Sequence, residues 1–303
     1  MLWRLHIKPD WSKGKTRDDV INYCITNKVA GIGWPVNIVP QSAQEYELAA
    51  LAEYKSRCSA IAFAKKISIG HFIWTRDGHG NYYLGRVVGA WFYCNKEECN
   101  DLDIPNQIPC DWMEVGLDEK VPGKIVACFR SPRTLQSIED EDKSMLQQSA
   151  WIFGSNTKDE LLLHATRQEL NAKDFFRLIS SEDCEDVVGL YLQKMKGYCI
   201  IPSSCKKDTV GHEFILKHSE TFELALVQVK QGKVPLSNKS LGKADHIFLF
   251  TTEGYASSES SNVTILSADE LFSFVKQYER LLPEKIRYHF SINTQSLPHP
   301  ATV

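Results

Sequence analysis

The chain has 303 residues, 43% of them hydrophobic and 24% charged, and 35 basic against 38 acidic side chains leave a formal net charge of −3. That composition excludes disordered, collagenous, coiled-coil and small disulfide-scaffold chains, and the length suits two domains of about 150 residues. No apolar run approaches the roughly 18 residues that span a bilayer, and no basic start leads into an apolar stretch with a cleavage site, so a cytoplasmic protein with no membrane partner is expected.

In chain order, residues 18–27 (DDVINYCITN) predict a short amphipathic helix, and residues 45–55 (EYELAALAEYK) a second. Between them lies GIGWP, residues 31–35. Two glycines and a proline force a tight loop that presents Trp34 at an edge. Residues 70–77 (GHFIWTRD) read as a strand, 77–81 (DGHGN) as a turn, 82–93 (YYLGRVVGAWFY) as the returning strand, and 124–130 (KIVACFR) as a further strand. Helices beside a twisted antiparallel sheet predict a small β-barrel with flanking helices. Trp74 and Trp112 sit next to charged residues, as pocket aromatics do, whereas Trp3 and Trp91 read as core.

All seven tryptophans lie at or before Trp151, which marks two halves built on different plans. The polar run 137–149 (SIEDEDKSMLQQS) suits the connection between them. It puts the boundary near 145–160, with domains at 1–150 and 151–303. Nine cysteines are an odd number without a CxxC pair, and the spacing of Cys94, Cys99, Cys110 and Cys128 fits no zinc ribbon. Reduced thiols are expected throughout.

In the second half, residues 180–194 (SSEDCEDVVGLYLQK) open with a Ser cap and acidic side chains, both favourable at a helix N-terminus. After Gly197 come the strand-like YCIIPSS, HEFILKH, FELALVQVK and DHIFLFTTE, and residues 269–278 (DELFSFVKQY) close with a helix behind Ser267. This order predicts a mixed sheet flanked by helices. The unusual feature is polarity at the end of the strongly apolar ELALVQVKQG: Gln228 and Lys230, two apart, share one face of the strand while Val229 points away. A hairpin brings Glu213 beside them, and Glu185 lies in the preceding helix. Carboxylates and an amide oxygen suit Mg²⁺. The lysine beside them suits orienting or deprotonating a water and stabilising the charge that develops on a phosphate under attack. The plain alternative is a cross-strand ion pair between Glu213 and Lys230.

This pattern resembles the PD-(D/E)xK nuclease superfamily, in particular its Mrr-like restriction endonuclease branch, whose signature strand ends in QxK. The resemblance covers residues 174–278. It implies catalytic roles for Glu185 (the helix acid), Glu213 (the second-strand acid), Gln228 and Lys230. It also implies Mg²⁺, or Mn²⁺, held by Glu213, Gln228 and Val229. Glu213 stands where the superfamily more often has Asp, and Gln228 where it more often has an acid, which lowers the charge on the metal site. Gln193, Lys194, Lys206, Lys207, Lys233, Lys239 and Lys243 are candidate phosphate contacts.

The run 70–93, with GIGW upstream, resembles the PUA-like/EVE group, small barrels that bind a modified base in an aromatic pocket. That resemblance implies Trp34, Trp74 and Trp112 as pocket residues, and Arg76 and Asp77 as contacts to a base edge or phosphate. A base reader joined to a nuclease implies a modification-dependent restriction enzyme of phage defence, acting on DNA as a homodimer. The rival expectation is a non-catalytic nucleic-acid or protein-binding module on a nuclease-like scaffold, and RNA or a branched junction is an alternative substrate.

Overall fold

The computed structural model describes residues 1–9, 11–55, 58–138, 144–162, 170–205, 212–237, 243–257 and 260–294. The chain forms two compact units. The first comprises Met1–Val121 and Ile125–Arg167, and the second Pro122–Lys124 and Gln168–Val303. Trp151 therefore falls in the first unit with the other six tryptophans, and residues 151–167 go with the first unit rather than the second.

The first unit runs β1 (Leu2–Leu5), α1 (Arg17–Thr26), β2 (Val29–Ile32), α2 (Ala43–Tyr54), α3 (Ser59–Lys66), β3 (Phe72–Arg76), β4 (Tyr82–Val87), β5 (Phe92–Tyr93), α4 (Glu97–Asp101), β6 (Asn106–Gly116), α5 (Gly123–Cys128), β7 (Leu135–Ser137) and α6 (Ser144–Thr157). Thr16 and Asp19 close a reciprocal capping box on α1, and Ser42 caps α2. The sheet follows the order β2-β6-β4-β3-β1-β7, with β5 also on β6, and only β1 and β3 run parallel. It is a curled half-barrel; among the described residues its end strands β2 and β7 do not pair, so the closed barrel expected from the sequence is not formed.

Alternation along β1 sorts its side chains to the two faces of the sheet. Trp3, Leu5 and Ile7 join Val20, Ile21, Tyr46, Ala50 and Phe63 in one core against α1, α2 and α3. On the opposite face Phe72 packs edge-on against Phe153 of α6, ring centroids 5.7 Å apart. Residues 124–130, read as a strand, are instead mostly the helix α5. Val121, Ile125 and Phe129 are buried at a spacing of four, a helical stripe too short for sequence periodicity to separate from a strand.

The second unit runs α7 (Ala172–Leu178), α8 (Ser181–Lys196), β8 (Tyr198–Ile200), β9 (Phe214–His218), β10 (Leu224–Lys230), β11 (Leu236–Ser237), β12 (His246–Thr251), β13 (Ala256–Ser257), β14 (Val263–Ile265), α9 (Ala268–Gln277) and α10 (Glu284–Thr294). Its main sheet has the order β14-β12-β10-β9-β8. β8, β9 and β10 are antiparallel neighbours, and β12 and β14 add in parallel. The central β10 buries Ala225, Leu226, Val227 and Val229. Phe176 of α7 meets Phe250 of β12 at 5.0 Å, and Val187, Val188 and Leu192 of α8 are fully buried, so helices cover the sheet as expected. No helix among the described residues is long and apolar enough to cross a membrane.

Candidate active site

Ser180 and Asp183 close a capping box that starts α8. The buried stripe of Cys184, Val187, Val188, Tyr191 and Leu192 sets the rotation of the helix. Glu185 lies at the edge of that stripe and enters a cavity of about 700 Å³. Glu182, Gly189 and Gln193 line the same cavity from α8, and Glu213 and Phe214 line it from the start of β9.

Glu213 stands immediately before β9 and donates its backbone N–H to the Val227 carbonyl at 2.8 Å. The register pairs Val227 with Phe214 and Leu226 with Ile215, so Glu213 follows at the end of the ladder, beside the C-terminal part of β10. Lys230 Nζ meets Glu213 Oε1 at 2.5 Å. Val229 is 3% exposed on the other face and offers only its backbone carbonyl.

The Glu185 carboxyl is pushed up from its ordinary 4.5 to about 7, first by burial and then by the negative charges of Glu213 and Glu182, with Lys230 opposing. The Glu213 carboxylate and the Lys230 ammonium are in contact, and Glu185 feels the charges of both; Gln228 lies on the same strand face as Lys230. Among the described residues no group of three or more His, Cys, Asp or Glu side chains is disposed to hold a metal ion. The carboxylate donors here number two. That donor set is all oxygen, and one or two carboxylates completed by water are what Mg²⁺ requires. Part of the upward push on Glu185 is repulsion from Glu213 and Glu182, which a bound cation would relieve.

Of the candidate phosphate contacts, Gln193 lines the cavity, while the Lys194 ammonium sits over the Tyr278 ring at 5.6 Å. Lys233 and Lys243 are exposed, and Lys206, Lys207 and Lys239 lie outside the described residues. Glu182 was not singled out in the sequence; its signal is the three-residue spacing from Glu185, which shares a helix face.

In the first unit the GIGWP loop is held from several directions. Tyr46 Oη donates to the Trp34 carbonyl at 2.8 Å, Asn106 Nδ2 to Gly33 O at 2.7 Å, Tyr54 Oη to Pro35 O, and Val36 N to Tyr93 Oη at 2.9 Å. Trp34 has φ 64°, a left-handed conformation that a bulky residue adopts at a cost. A Cβ at Gly33 would lie 2.5 Å from the Asp103 carboxylate, so glycine lets that carboxylate approach the loop. Trp34 lines a cavity of about 330 Å³ with His6, Lys8, Tyr54, Asp103 and Thr134.

The other expected pocket residues are elsewhere. Trp74 is fully buried and donates Nε1–H to Ser149 Oγ at 3.0 Å, so it has no face to offer a ligand. Trp112 donates to the Val29 carbonyl at 2.8 Å and packs over Gly85, where a Cβ would meet its ring at 2.7 Å. Asp77 accepts from His79 N, Asn81 N and Asn81 Nδ2 at 2.8–2.9 Å and organises the β3–β4 turn instead of reaching outward. Arg76 lies over the Tyr82 and Phe129 rings, 5.6 Å from each. Cys94 and Cys99 form a disulfide, which corrects the expectation of reduced thiols for that pair. Cys24, Cys58, Cys110, Cys128, Cys184, Cys199 and Cys205 form no disulfide among the described residues.

No protein-family profile matches the sequence, and no curated protein matches it significantly.

Proposed function

We propose that the chain is a metal-dependent DNA endonuclease, its second unit a restriction-endonuclease-like fold of the PD-(D/E)xK type and its first a PUA-like/EVE-type reader of modified bases. On this reading it is a modification-dependent enzyme of phage defence that acts as a cytoplasmic homodimer. The observation that supports the reading is that Glu185 and Glu213 line one cavity while Lys230 holds Glu213 and its charge reaches Glu185. Glu213, Gln228 and the Val229 carbonyl would hold Mg²⁺ or Mn²⁺, which would supply polarisation of the scissile phosphate and a more acidic water. Lys230, fixed by Glu213, orients the attacking water and stabilises the charge that develops on the phosphate. Glu185, with a carboxyl that titrates near neutrality, takes or returns a proton at the cavity wall. Trp34 is the aromatic that meets the modified base.

The test is plasmid cleavage in Mg²⁺ or Mn²⁺, comparing DNA rich in modified cytosines with unmodified DNA. Cleavage confined to the modified DNA, lowered about 10²–10³-fold in Lys230→Ala with binding retained, is the expected result. Equal cleavage of both would discard the base reader and keep the nuclease. No cleavage of either would leave Glu213–Lys230 as the ion pair of a binding scaffold.

A further inference from the structure

The sequence LWRLHIK at the start of the chain alternates apolar Trp3, Leu5 and Ile7 with basic Arg4, His6 and Lys8. The structure sends the apolar set into the core and the basic set to the other side of the sheet. β1 pairs in parallel with β3, Arg4 beside Trp74, and the same register carried two residues on places His6 beside Arg76. Phe129 lies over this row. The Arg4 and Arg76 guanidinium carbons are 5.8 and 5.6 Å from its ring centre, and the His6 ring meets it edge-on at 5.1 Å. The segment that follows Phe129 closes the cluster: Arg4 Nη1 donates to the Arg133 carbonyl, His6 Nε2 is 3.2 Å from the Ser131 carbonyl, and Lys8 Nζ donates to the Pro132 carbonyl at 3.1 Å.

Backbone carbonyls, the Gln136 amide and the Tyr82 hydroxyl are the hydrogen-bond partners of these cations; none of Arg4, Lys8, Arg17, Arg76 and Arg133 pairs with a carboxylate among the described residues. The nearby acids are occupied in the β3–β4 turn, where Asp18 accepts from Gly78 N and pairs with His79, and Asp77 binds the turn amides. Nε of Arg4, Arg17 and Arg76 and Nδ1 of His6 are buried with no hydrogen-bond partner, although Arg4 is fully buried and His6 only 6% exposed. Like charge crowds here. Burial and the charges of Arg4, Arg17 and Lys8 push the His6 imidazole down to about 4, and burial and Arg133 hold Arg4 below its ordinary range. A fold that concentrates unpaired cations carries a repulsion that a polyanion offsets. His6 and Lys8 also line the Trp34 cavity, so the charge stands where a base entering it would bring its phosphates.

We infer that Lys8, Arg17, Arg76 and Arg133, backed by Arg4 and His6, form a seat for the phosphodiester backbone of a DNA strand beside the Trp34 cavity. The inference rests on the reading of the first unit as a nucleic-acid binder and is independent of whether the second unit cuts. Exposed Lys8 and Arg133 contact phosphates directly. Arg17 and Arg76 form the inner wall, and the buried Arg4 acts through its field.

The experiment measures binding of a fluorescent duplex and of a single strand to the full chain carrying Lys230→Ala, without divalent ions, across a salt series. In Lys8→Ala/Arg133→Ala the slope of log affinity against log salt should fall by about 2 for duplex. Lys8→Arg/Arg133→Lys should restore it, which a merely structural role would not produce. An unchanged slope, or no salt-dependent binding of either probe, overturns the seat. Competition by inorganic phosphate or a mononucleotide that equals the duplex, phosphate for phosphate, overturns the assignment to a strand. A slope change without plasmid cleavage by the unmutated chain would sink the catalytic reading alone.

Discussion

In the second unit the buried arginine meets an acid: Arg177, with a side chain 7% exposed, binds Glu253 through two bonds of 3.0 and 2.7 Å. In the first unit Arg4, His6 and Arg76 stand in a row on one sheet face and are served by carbonyls, an amide and an aromatic ring. The Arg177–Glu253 pair completes itself. Removing one member leaves an uncompensated charge, so such a pair belongs to the fold. The row in the first unit meets no carboxylate among the described residues, and the proposed DNA strand would offset its cost. A deeply buried pair reports on architecture, and cations without an acid report on what they could receive from outside.

The largest effect that would sharpen this contrast is on Arg177. Arg177→Ala strands the Glu253 carboxylate, which Arg177 holds below its ordinary range, and should cost about 3–5 kcal/mol of stability. Far-UV circular dichroism during denaturant unfolding reads that loss. Because every tryptophan lies in the first unit, tryptophan fluorescence separately follows that unit alone. A cost below about 1 kcal/mol would break the contrast.

Next come opposite pH dependences, read in metal-free buffer. Folded Glu185 holds its proton more tightly than the unfolded chain does. Its stabilising contribution is complete below pH 4.5 and is lost as pH rises to about 7. Folded His6 holds its proton less tightly, so its contribution is complete above pH 6.5 and is lost as pH falls to about 4. Each window is worth on the order of 2 kcal/mol after screening. Glu185→Gln should flatten the first and His6→Gln the second, and slopes of the same sign would contradict the assigned causes.

The smallest effect is Arg4→Met, which removes a cation that has no carboxylate to strand and should cost about 1 kcal/mol. It should also move the His6 window upward in pH. A loss as large as that of Arg177→Ala would show that Arg4 is an ordinary structural arginine.

Much of the second unit was legible because its signals are local. The Ser180 cap, the α8 stripe and the apolar β10 closing in Gln228 and Lys230 can be read within a few residues. The short β9–β10 hairpin then puts Glu213 next to Lys230. In the first unit the eleven-residue β6, which pairs with β2, β4 and β5, was missed. Its interior Pro109 and polar Asn106, Gln107 and Asp111 hide the strand signal, and its pairing supplies what propensity does not. Trp74 shows the same limit: a charged neighbour in sequence suggested a pocket, yet strand alternation turns Arg76 and Trp74 to the same covered face, where α6 buries the indole.

By itself the sequence determined two unlike halves, the elements that carry Glu185, Gln228 and Lys230, and a tight loop around Trp34, because caps, period-two alternation and glycine–proline turns act over a few residues. Only the tertiary structure decided that the first sheet stays open among the described residues, that Trp74 is core while Trp34 lines a cavity, and that Arg4, His6 and Arg76 share a face with no carboxylate paired to them among those residues. Those outcomes depend on which distant strands pair and what covers each face, and that is set by burial summed over the whole chain.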